Sequence, residues 1–99
     1  MEKKFKSVIT EGVWQFIDEN VYSKKVADKT LDVIDLLEHF PEMGRVYDPE
    51  YVAARPPFTC RSFPIPDSPF VLYYFIKAEE NEVVIFSMQF QRGNPEERF

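Results

Sequence analysis

Arginine and tyrosine are the residue types of this chain best suited to recognising another molecule. A guanidinium group can hold a carboxylate or a phosphate in two-point geometry, and a tyrosine can pack flat while offering its hydroxyl. Four tyrosines accompany the five arginines: Arg45, Arg55, Arg61, Arg92 and Arg98 with Tyr47, Tyr51, Tyr73 and Tyr74. The pattern favours a binding surface, although Arg61 and Arg92 could instead pair with acids such as Asp67 or Glu82.

A catalytic triad or a metal site has few residues to draw on. His39 is the only histidine and Cys60 the only cysteine. A triad would have to use His39, but no GxSxG sequence accompanies it, and the helix dipole alone explains a protonated histidine at a helix end. Cys60 has no second cysteine for a disulfide or a CxxC site, and we expect it to be a half-buried strand residue. The sequence predicts no metal and no cofactor.

The overall charge works against nucleic-acid binding. Formal net charge is -5, from 17 acidic and 12 basic residues, whereas phosphate binding draws on clustered lysine and arginine. The bases are unevenly placed, because most lysines precede Thr30 and all arginines follow it. The arginines could therefore still meet in one place.

One domain over residues 1–99 is expected. Hydrophobic residues make up 44% of the chain, which can fill one compact core but leaves no room for two. No apolar run approaches the length that a bilayer demands, and the opening MEKKFKSVIT lacks the apolar stretch of a signal peptide. These features predict a cytoplasmic protein that does not enter the membrane.

Two helices are predicted in the first half of the chain. The first follows a short strand in FKSVIT and covers EGVWQFIDENVY, with Thr10 as its N-cap. The second begins after Ser23 and runs to about His39, with a wide apolar face and an acidic face. Pro41 and Gly44 end it, the glycine by a left-handed exit. The helices should form a hairpin.

Three consecutive strands are predicted in the second half: FTCRSFPI, FVLYYFIKA and EVVIFSMQFQ. The polar EENE is the turn between the last two, so the strands should form an antiparallel sheet with the helix pair covering at least one face. Residues 46–57 are expected to be an ordered surface loop, and residues 93–99 a loosely held tail. The order is β-α-α-β-β-β, an α+β fold.

This order of elements, with four local patterns, resembles the RelE/ParE superfamily of toxins from type II toxin-antitoxin modules, often described as plasmid stabilisation proteins. LLEHFPEMGR places Leu37, Pro41, Gly44 and Arg45 on the pattern. CRSFPIPDSPFVLYYF places Arg61, Leu72 and Tyr74, and EVVIFSMQFQRGNP places Arg92 and Pro95, with Gln89 where many ParE-like members have histidine. The fourth similarity is the opening strand that leads into ITEGVWQFIDEN.

The resemblance is closer to the ParE branch than to the RelE branch. RelE-like members cleave messenger RNA on the ribosome and use a basic cluster plus an acid/base residue. Val71 and Gln91 stand where basic residues would be, and FTCRSFPI holds only Arg61. In a RelE-like enzyme, the candidates for catalysis would be Arg61, Arg92 and Tyr74 or His39. ParE-like members poison DNA gyrase without a hydrolytic site, and a degenerate, non-toxic member is a third alternative.

A cognate antitoxin is the partner that the resemblance implies. Antitoxins lay a helix or an extended strand over the toxin, so the groove between helices and sheet and an exposed strand edge are the expected contact places. The side chains expected to face the antitoxin's acidic residues are Arg45, Arg55, Arg61 and Arg92. RNA or the ribosome would be a partner only of a RelE-like enzyme.

Overall fold

Five strands form one sheet in the part of the chain that the computed structural model describes, residues 5–47 and 59–91. In chain order the elements are β1 (Lys6–Ile9), α1 (Glu11–Asn20), α2 (Lys24–His39), β2 (Arg45–Tyr47), β3 (Cys60–Pro64), β4 (Phe70–Lys77) and β5 (Glu82–Phe90). Short 3₁₀ turns, Pro41–Met43 and Ala78–Glu80, precede β2 and β5. The α+β class, both helices and all four predicted strands are confirmed.

The sheet has the strand order β1-β5-β4-β3-β2 and is mixed. Strands β3, β4 and β5 are antiparallel to one another, as predicted, and β2 is antiparallel to β3, but β1 runs parallel to β5. Alternation in a sequence identifies a strand but not the direction of a partner at the other end of the chain. β2 is an additional strand that the sequence did not predict, because three residues are too few to show a period. It includes Val46 and Tyr47, the first two residues of the predicted loop. The rest of the predicted loop and residues 93–99 lie outside the described residues.

The two helices begin differently. The hydroxyl of Ser23 accepts the Val26 N–H at 3.4 Å, the N-cap that the sequence predicts for α2. Thr10 takes the N-cap position of α1 but makes no side-chain cap, because its hydroxyl donates to Phe86 O at 3.4 Å on β5. That bond joins the start of α1 to the sheet.

The side chains of the sheet divide into two apolar layers. On the helix side, Leu72, Tyr74 and Ile85 pack with Val13 of α1 and Leu37 of α2, all of them fully buried. On the opposite face Cys60, Val71 and Tyr73 form a second buried cluster. The register shifts between Tyr73, which pairs with Ser87, and Tyr74, which pairs with Ile85, so Ile85 and Met88, three residues apart, both reach the helix side.

Three aromatic rings hold the end of β5 against α1. Phe16, Phe70 and Phe90 have ring centroids 5.2–5.7 Å apart. Beyond Phe90, the Gln91 N–H donates to Pro69 O at 2.7 Å, and its side-chain amide donates to Phe70 O at 3.0 Å. The chain is therefore fixed in place up to the residue before Arg92.

Candidate functional site

Two side chains on neighbouring strands hold the turn that follows α2. Tyr74 Oη donates to Pro41 O at 2.7 Å and accepts the Gly44 N–H at 2.8 Å. Arg61 Nη1 donates to Gly44 O at 2.8 Å and to Glu42 O at 3.2 Å. Arg61 and Tyr74 lie opposite each other in β3 and β4, so their side chains share one face of the sheet. Together they fix the backbone of residues 41–44, which we call the latched turn.

Gly44 is needed in the latched turn for space. Its φ is -70°, so the predicted left-handed exit is wrong. A Cβ at this position would lie 2.8 Å from Tyr74 Cε1 and 2.9 Å from Ser62 O, and would also collide with Tyr74 Oη. Only a residue without a side chain lets the tyrosine reach the backbone here.

The environment of Tyr74 is that of a structural hydroxyl. The residue is fully buried, and Oη both donates to and accepts from the latched turn. Burial raises the pKa of Tyr74 above its ordinary value, against smaller lowering contributions from the Gly44 amide and the charge of Arg61. The structure thus brings two of the sequence-predicted catalytic candidates together, around a piece of backbone.

Removing the hydroxyl is expected to destabilise the fold. In Tyr74→Phe, the buried Gly44 N–H and Pro41 O lose their partner, so the free energy of unfolding should fall by about 1–3 kcal/mol. Urea unfolding measures this loss. Tyr22→Phe is the matched control, because Tyr22 is 89% exposed, and it should stay within about 0.5 kcal/mol of the wild type. Equal stability of the two variants would contradict a structural role for Tyr74.

His39 and Arg45 lie apart from this pair. His39 ends α2, as predicted, and its Nδ1 lies 3.0 Å from Asp35 O in the preceding turn of the helix. Arg45 is exposed on β2 and pairs with Ser62, whereas Arg61 pairs with Val46. Because neighbouring residues of a strand point to opposite faces, Arg45 and Arg61 do not share a face.

The remaining predictions about arginines concern pairing and position. Asp67, considered as a partner for Arg61, instead binds Lys29 at 2.5 Å, and Lys29 holds the pKa of Asp67 below its ordinary value. Arg55 and Arg92 lie outside the described residues.

An apolar groove of about 780 Å³ opens beside the latched turn. It lies where the end of α2, the end of β4 and the residue before β1 meet, and its apolar walls include Phe5, Leu36, Phe40, Met43 and Ile76. Phe40 and Met43 are 53% and 51% exposed. The sequence-based prediction singled out neither Phe40 nor Met43 as a binding residue. The signal was FPEM, which places two large apolar side chains around a proline where a helix ends.

The two edges of the sheet differ. The outer edge of β1 meets the end of α2, where Glu38 accepts the Ser7 N–H through Oε2 at 3.0 Å and the Phe5 N–H through its carbonyl at 3.1 Å. β2 forms the opposite edge of the sheet, and its central residue Val46 is 49% exposed. Addition of a partner strand is therefore obstructed at β1.

Cys60 lies in β3, the strand position that the sequence predicts, but it is fully buried rather than half-buried, with 2% of it exposed. Burial raises the pKa of the Cys60 thiol to about 11, from an ordinary value of 9.0. The thiol therefore stays protonated near neutral pH. Because the thiolate is the form that acts as a nucleophile and metal ligand, Cys60 is poorly suited to either role. Within residues 5–47 and 59–91, no group of three or more histidine, cysteine, aspartate or glutamate side chains could hold a metal ion.

The thiol makes stability depend on pH in the alkaline range. The pKa of the Cys60 thiol is higher in the folded protein than in the unfolded chain. Its contribution to the free energy of unfolding is therefore complete below pH 9 and is lost as the pH rises through about 11. The wild type should lose about 2–3 kcal/mol more than Cys60→Ala over this interval, at about 1.4 kcal/mol for each pKa unit. Denaturant unfolding at several pH values between 8 and 11 tests this. Parallel losses in both proteins would contradict it.

Two comparisons place the chain among known proteins. The sequence matches the family model described as ParE toxin of type II toxin-antitoxin system, parDE, over residues 6–90. The fold is similar to that of a chain in the crystal structure of the archaeal RelE-RelB complex from Pyrococcus horikoshii OT3, with a TM-score of 0.67 and 15% sequence identity, covering 91% of this chain and 99% of that chain. No curated protein matches the sequence significantly. No helix among the described residues is long and apolar enough to cross a membrane. Since the family model spans both helices and all five strands, the chain belongs to the ParE toxin family of type II toxin-antitoxin systems.

Proposed function

We propose that this toxin acts in the cytoplasm, arrests growth by binding a cellular protein such as DNA gyrase, and has no hydrolytic site of its own. The observation that carries the proposal is the position of Tyr74. Its hydroxyl is fully buried and bonded to Pro41 and Gly44, whereas a general acid or base must reach its substrate. Arg61 Nη1 likewise bonds to backbone carbonyls of the latched turn.

A cognate antitoxin is the proposed neutralising partner. Membership of the ParE family supports it, and so does the likeness in fold to a chain of a structure described as a RelE-RelB complex. The exposed apolar side chains of Phe40 and Met43 supply a surface that a partner would bury. A plasmid-stabilising role is part of the same proposal for a toxin-antitoxin pair that is carried on a plasmid.

The proposed contacts with acidic residues of the antitoxin remain Arg45, Arg55, Arg61 and Arg92. Arg45 is exposed at the β2 edge of the sheet, where an added strand would bring acidic side chains within its reach. Arg61 uses Nη1 for the latched turn, and a guanidinium carries further donors on Nη2 and Nε. Alanine at these positions should weaken binding of the antitoxin, with Lys24→Ala on α2 as the control.

Purified protein separates the gyrase target from the ribonuclease alternative. The chain is added to gyrase with relaxed plasmid and, separately, to ribosomes translating a defined message. We expect inhibition of supercoiling, reversal by the antitoxin and intact message. Message cleavage with normal supercoiling would favour a RelE-like enzyme, and Arg61→Ala, Arg92→Ala, Tyr74→Phe and His39→Ala would then be tested for loss of cleavage.

A further inference from the structure

We propose that residues 40–47, the latched turn together with β2, form a strap that opens as one unit while the rest of the sheet stays folded. β2 covers the outer edge of β3, and the latched turn occupies the polar groups of Arg61 and Tyr74. Opening uncovers all three. This device goes beyond the proposed function and does not depend on it, because it concerns the chain by itself.

The strap buries little apolar surface. Among its residues only Gly44 is buried, and glycine has no side chain. Phe40, Met43 and Val46 are each about half exposed. In β4, by contrast, the five consecutive residues 70–74 are buried. Because burial of apolar surface is the main contribution that opposes unfolding, separating the strap should cost much less than unfolding the sheet.

Hydrogen bonds from two side chains of the sheet hold the strap closed. Tyr74 Oη donates to Pro41 O and accepts the Gly44 N–H. Arg61 Nη1 donates to the carbonyls of Glu42 and Gly44. Water replaces such partners when the strap opens, so the net contribution of each bond is modest. Tyr74 and Arg61 therefore set how often the strap opens.

Tyr47 holds the far end of the strap and provides a way to observe its opening. The centroid of its ring lies 5.0 Å from that of Tyr73. Tyr47 also packs against the buried cluster that contains Cys60, its register partner in β3. When the strap opens, Tyr47 leaves this cluster and the Cys60 thiol becomes accessible. Cys60 is the only cysteine of the chain, so a thiol reagent reports the opening at one place.

The state of the strap determines what the sheet presents at this edge. In the closed state the edge strand is β2, with Arg45 exposed. In the open state the edge strand is β3, which has five residues, and the Arg61 guanidinium and the Tyr74 hydroxyl are released. The strap thus gates both side chains.

The rate at which the Cys60 thiol reacts with iodoacetamide, measured at fixed pH in increasing urea, tests the opening. Well below the unfolding midpoint we expect a rate that does not change with urea, because a small opening exposes little surface. Tyr74→Phe removes two of the bonds that hold the strap and should raise this rate about tenfold. A rate that follows global unfolding at every urea concentration would overturn the proposal.

Val13→Ala is the control for Tyr74→Phe. Val13 is fully buried in the helix-side core, a cluster to which no described residue of the strap belongs. The substitution should lower the unfolding midpoint but change the urea-independent rate by less than about twofold. Equal acceleration in both variants would mean that Tyr74 acts on the whole fold and not on the strap, which contradicts the proposal.

Amide hydrogen exchange tests whether the two side chains hold a single unit. Arg61→Ala leaves the bond between the Gly44 N–H and Tyr74 Oη available. If the strap opens as one unit, the Gly44 amide should nevertheless exchange about tenfold faster in this variant. The Leu72 amide in β4 should change only as much as global stability does. Unchanged exchange at Gly44 would show that Arg61 and Tyr74 hold separate pieces of backbone, and the strap would not be one unit.

Discussion

Replacing Gly44 with alanine is expected to lower the free energy of unfolding by about 2–5 kcal/mol. The new Cβ would meet Tyr74 Cε1 at 2.8 Å and Ser62 O at 2.9 Å. Ser62 O is backbone in the middle of β3 and cannot move away without disturbing the sheet. Tyr74 can move only by giving up its bonds to Pro41 O and Gly44 N–H. Urea or thermal unfolding measures the loss.

Gly12→Ala is the control for Gly44→Ala. Gly12 lies in the first turn of α1, and a Cβ there would have nothing within 4 Å. Alanine should therefore raise stability by about 0.4–1 kcal/mol, because it restricts the unfolded chain and favours the helix. The change in the free energy of unfolding should therefore have opposite signs in Gly12→Ala and Gly44→Ala. A Gly44→Ala protein as stable as the wild type would show that Tyr74 does not hold the turn as described.

Leu37→Ala should cost about 2–5 kcal/mol, because it opens a cavity in the helix-side core. Leu37 is fully buried near the end of α2. The next residue, Glu38, binds the amides of Phe5 and Ser7 at the outer edge of β1. We therefore expect the amides of β1 to lose protection from hydrogen exchange in this variant, as well as a lower denaturation midpoint.

Leu31→Ala makes the same chemical change on the same helix with half of the side chain in solvent. Its effect on stability should be about 0.5 kcal/mol or less. Similar losses in Leu31→Ala and Leu37→Ala would mean that burial does not govern the response of α2, which would contradict the assignment of Leu37 to the core.

The sequence predicted the elements that have a period long enough to read. α2 and the strands β3, β4 and β5 were placed by their apolar patterns, and the three antiparallel strands follow one another closely enough for their pairing to be expected. β2 was missed because its three residues show no alternation. The parallel pairing of β1 with β5 was not predicted, because no local pattern in the sequence indicates the direction of β5 relative to β1.

The candidate site was only partly predictable. Arg61 and Tyr74 were singled out by the family pattern, and the structure does bring them together. Both side chains bind the latched turn, which lies 17 to 33 residues earlier in the chain. No local sequence pattern predicts such a contact. Gly44 was recognised as a required glycine, but for a backbone angle that it does not adopt. Glycine is required there because Tyr74, thirty residues later, accepts the Gly44 N–H. Only the folded chain reveals this contact.

Growth on induction tests the central claim most directly. The chain is expressed from a controlled promoter, alone and together with the neighbouring open reading frame, and viable cells are counted. The account predicts that the chain alone arrests growth and that co-expression of its neighbour restores it. Normal growth of cells that accumulate the folded chain alone would contradict the account and would instead favour a degenerate, non-toxic member of the family.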